Sequence, residues 1–89
     1  MKKLSQTKQF SKDIRLMRKR GKDLSKMESI VRQLAEGQRL DPRHKDHPLG
    51  GEWVGTRDCH IEGDWLLLYS IGEDWLRLER TGTHSDLFR

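Results

Sequence analysis

Apolar spacing changes once along this 89-residue chain, and the change divides it into a helical part and a strand part. Phe10, Ile14 and Met17 recur at i, i+4 and i+7 with Leu16 nearby, the period of an amphipathic helix over about residues 7–20. Thr7 or Ser5 can cap it, and Gly21 ends it. A second stripe of Leu24, Met27, Ile30, Val31, Leu34 and Ala35 follows Asp23 and stops at Gly37, a residue suited to the left-handed position after a helix. The basic turn Lys19-Arg20-Gly21-Lys22 joins the two as an antiparallel hairpin.

Residues 38–52 contain Pro42, Pro48, Gly50 and Gly51 and read as loop. Beyond them the period becomes that of strands. Residues 53–62 alternate, residues 65–71 are almost continuously apolar, and residues 75–80 alternate again. Turns at Gly63-Asp64 and Gly72-Glu73-Asp74 make this a three-strand antiparallel meander with its middle strand inside. Residues 2–6 could add a short edge strand. The expected fold is α+β: an N-terminal two-helix hairpin packed on a small twisted antiparallel sheet, because nothing else can bury a face of that sheet.

The length suits one domain over residues 1–89, and with 33% hydrophobic residues its core must be thin. Cys59 is the single cysteine, so no internal disulfide can form, as suits a reducing cytoplasm. No apolar run approaches the ~20 residues of a membrane span, and the charged start lacks the apolar stretch of a secretory signal. A cytoplasmic location is expected.

Net charge is +4, but residues 1–45 hold 14 Lys/Arg against 5 Asp/Glu, while residues 46–89 hold 4 against 9. The basic half points to nucleic acid, an anionic membrane surface or an acidic protein partner, or is simply a solvated helical surface. The histidines divide the other way: all four, His44, His47, His60 and His84, lie beyond residue 43, each in a short polar segment.

Three chemistries compete for them. His44 and His47 are spaced H-x-x-H and could bind a metal with His60 and Asp64, but a loop broken by Pro48 and two glycines lacks the regularity of zinc sites. A serine nucleophile is poorly served by Ser85 directly after His84, and Cys59 falls on the presumed core face. Metal-free acid–base chemistry uses the set best, with no metal and no cofactor expected. RNA supplies its own nucleophile, the 2′-hydroxyl, so cleavage needs a base, an acid and a cation for the phosphate. His47, His60, Asp64, Arg80 and His84 could fill those roles. Strand parity puts Cys59 and Ile61 toward the helices and Asp58, His60 and Glu62 toward an open face, onto which His84 could curl.

Three stretches carry a family likeness: His47-Pro48-Leu49-x-Gly51-x-Trp53, then Arg57-Asp58-x-His60-Ile61-x-x-Asp64-Trp65-Leu66-Leu67-Leu68-Tyr69, then Leu78-x-Arg80-Thr81-Gly82-Thr83-His84-Ser85-Asp86-Leu87-Phe88. They closely resemble YafQ-type toxins of the RelE/ParE toxin–antitoxin superfamily, from about Phe10 onward. The resemblance implies two helices on an antiparallel sheet, and an endoribonuclease that cuts messenger RNA in the ribosomal A site without metal. It places His47, His60, Asp64 and His84 at catalytic positions, has Phe88 help shape the site, and lets Asp58 and Arg80 orient the cluster or contact phosphate. His44 matches no functional position and is expected to be a loop residue. The basic hairpin, with Lys8, Lys12, Arg15, Arg18, Lys19, Arg20 and Lys22, would then dock on ribosomal RNA. The implied partner is a DinJ-like antitoxin with a ribbon-helix-helix DNA-binding part, in a heterotetramer that binds operator DNA through the antitoxin. Two rivals use the same scaffold: a ParE-like gyrase-binding toxin, and a catalytically inactive homologue kept for operon regulation.

Overall fold

The computed structural model describes residues 1–88. Strand β1 spans Lys3–Gln6, helix α1 Lys8–Lys19 and helix α2 Leu24–Ala35; strands β2 (His47–Pro48), β3 (Arg57–Glu62), β4 (Trp65–Ile71) and β5 (Trp75–Gly82) follow, then the single-turn helix α3 at His84–Leu87. The two long helices begin and end where the sequence places them. Thr7 caps α1 by accepting from the Phe10 amide at 2.9 Å, and Asp23 caps α2 by accepting from the Ser25 amide at 3.0 Å. Gly21 and Gly37 take left-handed φ of 79° and 75° just after them, the conformation that ends a helix without a Cβ penalty.

The sheet runs β1-β5-β4-β3-β2 and is mixed rather than wholly antiparallel. β2 to β5 pair antiparallel with their neighbours, but β1 lies parallel to β5, with Lys3 opposite Trp75 and Gln6 opposite Leu78. The meander leaves β5 with an open edge, and β1 covers its first half. Beyond Gln6, α1 takes over. The Thr7 amide donates to the Leu78 carbonyl, the Thr7 hydroxyl to that of Glu79, and the Thr81 amide to Asp13. β1 and α1 together thus cover the edge of β5.

β4 is buried along both faces, as its unbroken apolar run requires. Trp65, Leu67 and Tyr69 meet Phe10, Met17, Met27, Ile30 and Leu34 of the helices, together with Cys59, Ile61, Leu76 and Leu78. Leu66 and Leu68 point the other way into a smaller cluster with Leu87, against which Leu49 and Trp53 pack. Thus the face expected to be open is half covered, by α3 and by the loop before β3.

That loop is more ordered than its prolines and glycines suggest. Asp41 caps a 3₁₀ turn at Pro42–His44 and Gly51–Trp53 form another, so β3 starts at Arg57 and not at residue 53. Asp46 ties the segment down, accepting from the Tyr69 hydroxyl at 2.6 Å and from Arg57 Nε at 3.2 Å. Parity also fails at one point. The β3–β4 register slips between His60 and Glu62, so Glu62 lies opposite Trp65 on the helix side and pairs with Lys26 of α2 at 2.7 Å. It does not share the face of Asp58 and His60.

Candidate active site

Register across the sheet aligns the candidate residues in two rows. His47, Asp58, Leu68 and Arg80 stand opposite one another from β2 to β5; His60, Leu66 and Gly82 form the next row. Directly opposed residues share a face, so His47, Asp58, His60 and Arg80 all belong to the face turned away from α1 and α2. Two neighbours complete the cluster from beyond the strands: Asp64 in the β3–β4 turn and His84 at the start of α3.

His84 is held by Asp64 from two directions. Its backbone amide donates to Asp64 Oδ1 at 2.9 Å, and its ring Nδ1 is hydrogen-bonded to the same oxygen. A carboxylate only accepts, so the proton sits on Nδ1 and Nε2 is the nitrogen left for chemistry. The two His84 donors, backbone first, hold the Asp64 carboxyl below the usual carboxylate range. The His60 ring stands 5.7 Å from the His84 ring, edge to face. Phe88 lies 6.2 Å from His84 and 6.4 Å from Trp53, ring centre to ring centre.

His47 is set by its own loop. Lys45 has φ of 47°, the single left-handed non-glycine among the described residues, and its carbonyl accepts from His47 Nδ1 at 2.6 Å. This leaves His47 Nε2 facing Asp58 Oδ2 at 3.8 Å, close enough for charge attraction but too far for a hydrogen bond.

Asp58 is the most unusual group here. It is 3% exposed, and its Oδ1 has no hydrogen-bond partner among the described residues. Burial pushes its carboxyl above the usual range, against the opposing pull of His47, His60 and His84. A buried carboxylate facing three imidazoles stabilises whichever of them carries a proton. Its raised proton affinity in the folded state means that native stability is lost as pH rises through that value. Asp58→Asn is therefore expected to melt higher than the wild type at pH 7 and together with it near pH 3, while RNA cleavage falls about 10²-fold from lost imidazole alignment. Thermal melts across pH, run beside cleavage assays, check both parts.

The remaining residues are placed more variously. Arg80 lies at the far end of its row with its fork on Asp13 of α1, Nε at 2.8 Å and Nη2 at 3.1 Å, and that hydrogen bonding raises its proton affinity. Of the basic hairpin, Lys8, Lys12, Arg15, Arg18, Lys19 and Arg20 are exposed, and Lys22 is half-buried with its ammonium 5.9 Å from the Trp65 ring centre. Arg20 has a structural task as well: it grips Asp86 of α3 in a two-pronged pair at 2.6 and 3.2 Å. Asp86 in turn closes a capping box with Thr83, and Arg20 with the Thr83 amide holds its carboxyl far below the usual range. Arg20 and Asp86 thus fix the helical turn that carries His84.

Sequence reasoning missed three residues. His44 is not a free loop residue: it is buried, and its Nδ1 donates to the His60 carbonyl at 2.6 Å, taking the place of a strand partner. The cap-and-proline pair Asp41-Pro42, which starts its 3₁₀ turn, was the available signal. Asp13 and Asp86 gave none, since their partners lie 67 and 66 residues away.

Comparison with known proteins agrees with this architecture. Residues 2–89 match the family model described as the bacterial toxin of type II toxin–antitoxin systems, YafQ. The chain is 47% identical to mRNA interferase toxin YafQ of Escherichia coli K12 over 81 residues, covering 90% of this chain and 88% of the relative. It superposes on YafQ from E. coli BL21(DE3) with a TM-score of 0.94 at 41% identity, and on a chain of the E. coli DinJ–YafQ complex with 0.92 at 42%, each over 100% of both chains. The chain belongs to the YafQ family of type II toxin–antitoxin toxins.

Proposed function

We propose that this toxin is an endoribonuclease that cuts messenger RNA on the ribosome by metal-independent acid–base catalysis. The carrying observation is the pairing of His84, oriented by Asp64, with His60 at 5.7 Å over the buried Asp58. One neutral imidazole takes the proton of the 2′-hydroxyl; the freed oxygen attacks phosphorus. The P–O5′ bond breaks as a second, cationic imidazole protonates the departing oxygen, leaving a 2′,3′-cyclic phosphate and a 5′-hydroxyl. His60, His84 and His47 share the field of the buried Asp58, so base and acid are roles of the cluster. Asp64 keeps His84 in one tautomer, as the buried aspartate does in hydrolase triads. Arg80, with one side of its guanidinium on Asp13, presents the other toward phosphate. Phe88 and Trp53 border the space where a base can lie.

The basic helix fits the ribosome. Lys8, Lys12, Arg15 and Lys19 recur at i, i+4, i+7 and i+11 on α1, a stripe opposite the buried Phe10, Asp13 and Met17. Four cations on one ridge track a phosphate backbone. Replacing all four by alanine is expected to weaken ribosome binding most at low salt and flatten its log–log salt dependence by about 3–4 units. Sedimentation with ribosomes at several salt concentrations measures this; an unchanged slope contradicts the docking.

The E. coli YafQ structures solved with DinJ support a DinJ-like antitoxin for this chain; a heterotetramer and a cytoplasmic location are part of the same proposal. Primer extension on transcripts after brief induction tests the activity. Cuts are expected in translated transcripts alone. Cuts that persist when translation is blocked overturn ribosome dependence, and DNA damage without cut transcripts favours gyrase poisoning.

A further inference from the structure

A cavity of about 770 Å³ reaches His60 and has no part in the chemistry above. Its origin is in the sheet. β2 is two residues long and pairs only with Arg57 and Asp58, so the edge of β3 from Cys59 onward has no strand beside it. The turn carrying His44 is joined to that edge at the His60 carbonyl, and α2 lines the other wall of a cleft that reaches His60.

The cleft wall is polar in a regular way. Ser25, Ser29 and Gln33 recur at i, i+4 and i+8 along α2, a stripe separate from the buried Met27, Ile30 and Leu34. Across from them stand Arg43 and Lys45, which make no ion pair among the described residues. Lys26 is also in the wall, but Glu62 neutralises it at 2.7 Å. Two free cations facing hydroxyl and amide groups match a nucleotide: phosphate on Arg43 and Lys45, base edge on Ser29 and Gln33, one helical turn apart, while the Ser25 hydroxyl is taken by Asp23 at 2.6 Å. Single-stranded RNA is read in this way, by side chains on the edges of unstacked bases.

We infer that this cleft is a second RNA subsite, seating the nucleotide next to the scissile one and setting the sequence preference of the cut. It rests on the nuclease reading above. A strand whose scissile phosphate lies between His60 and His84 is bordered by Phe88 on the α3 side, and at His60 it reaches the cleft mouth. An acidic antitoxin segment is the competing occupant. The contiguity with His60 and the neutral pair Ser29 and Gln33, about 6 Å apart along α2, favour RNA, since an acidic peptide would need cations where that stripe offers a hydroxyl and an amide.

The test uses the whole protein and a 2′-O-methylated hexaribonucleotide, which cannot be cut. Amide NMR shifts are expected at Ser25, Ser29, Gln33 and Arg43 together with those at His60. Ser29→Trp fills the cleft from an exposed helix position, so the fold survives and an overlaid spectrum shows it. Its cleft shifts are expected to vanish while those of α3 remain. After induction, Ser29→Trp and Arg43→Glu are each expected to cut at least about tenfold more slowly, with a changed nucleotide preference on one side of the cut. Shifts confined to α3 and His60, unchanged cut-site preference in both variants, or cleft shifts caused by the antitoxin and not by RNA overturn the inference. A wild type that shifts at the cleft but cuts no transcript upholds the subsite and sinks the nuclease reading instead.

Discussion

His84→Ala is expected to abolish toxicity and lower RNA cleavage by about 10³-fold while leaving the melting temperature close to that of the wild type. The ring is more than half exposed, so its removal creates no cavity, and the capping box of α3 depends on Thr83 and Asp86 instead. What disappears is the imidazole that Asp64 orients, and with it one of the two proton positions that phosphodiester cleavage needs. Growth after induction and transcript mapping read the effect. A folded, normally expressed His84→Ala protein with full toxicity would sink the acid–base mechanism.

The largest stability effect is expected at a residue that touches no substrate. Asp13 is 5% exposed and accepts from Arg80 twice, from the Thr81 amide and from Gln9. Asp13→Ala leaves the Thr81 amide without a partner and frees the Arg80 fork over a largely buried surface. Breaking a buried pair from one side costs about 3–5 kcal/mol. Arg80 keeps a quarter of its side chain exposed and can swing outward, so about 3 kcal/mol is the expected loss, equivalent to a melting point lower by about 12–24 °C in a domain of this size. Arg80→Met in the same background should recover part of that loss by removing the stranded charge. A double variant no more stable than Asp13→Ala contradicts the pairing.

Both helices, their ends and the doubly buried middle strand were legible because each depends on local spacing. Phe10, Ile14 and Met17 define a helical face without reference to the rest of the chain, and an apolar run like that of β4 has nowhere to go but the interior. The candidate residues stood out in composition and motif, and parity turned His60 to the face that the sheet register gives it. What could not be read depends on distant partners or on a single extra residue. β1 is too short to declare its direction, which is fixed by the open edge of β5. The bulge after His60 sends Glu62 to Lys26 against the parity of the strand. Arg20 reads as one more surface cation, although its partner Asp86 gives it the task of holding α3. The burial of Asp58 beside three imidazoles follows from the rows formed by four strands and from no local pattern.

The parallel pairing of β1 with β5 also has a consequence in time. The first strand of the sheet waits for the last: β1 has no neighbour until residues 75–82 have been made, and α1 cannot seat Asp13 on Thr81 before then. At synthesis rates of about 5–20 residues per second, the interval between the two strands is about 4–14 s. Throughout that interval the basic helix exists without the finished sheet, because the turn bearing His84 is made later still. On the proposed mechanism the nascent toxin therefore stays inactive until its last strand is made, which leaves those seconds to an antitoxin already present.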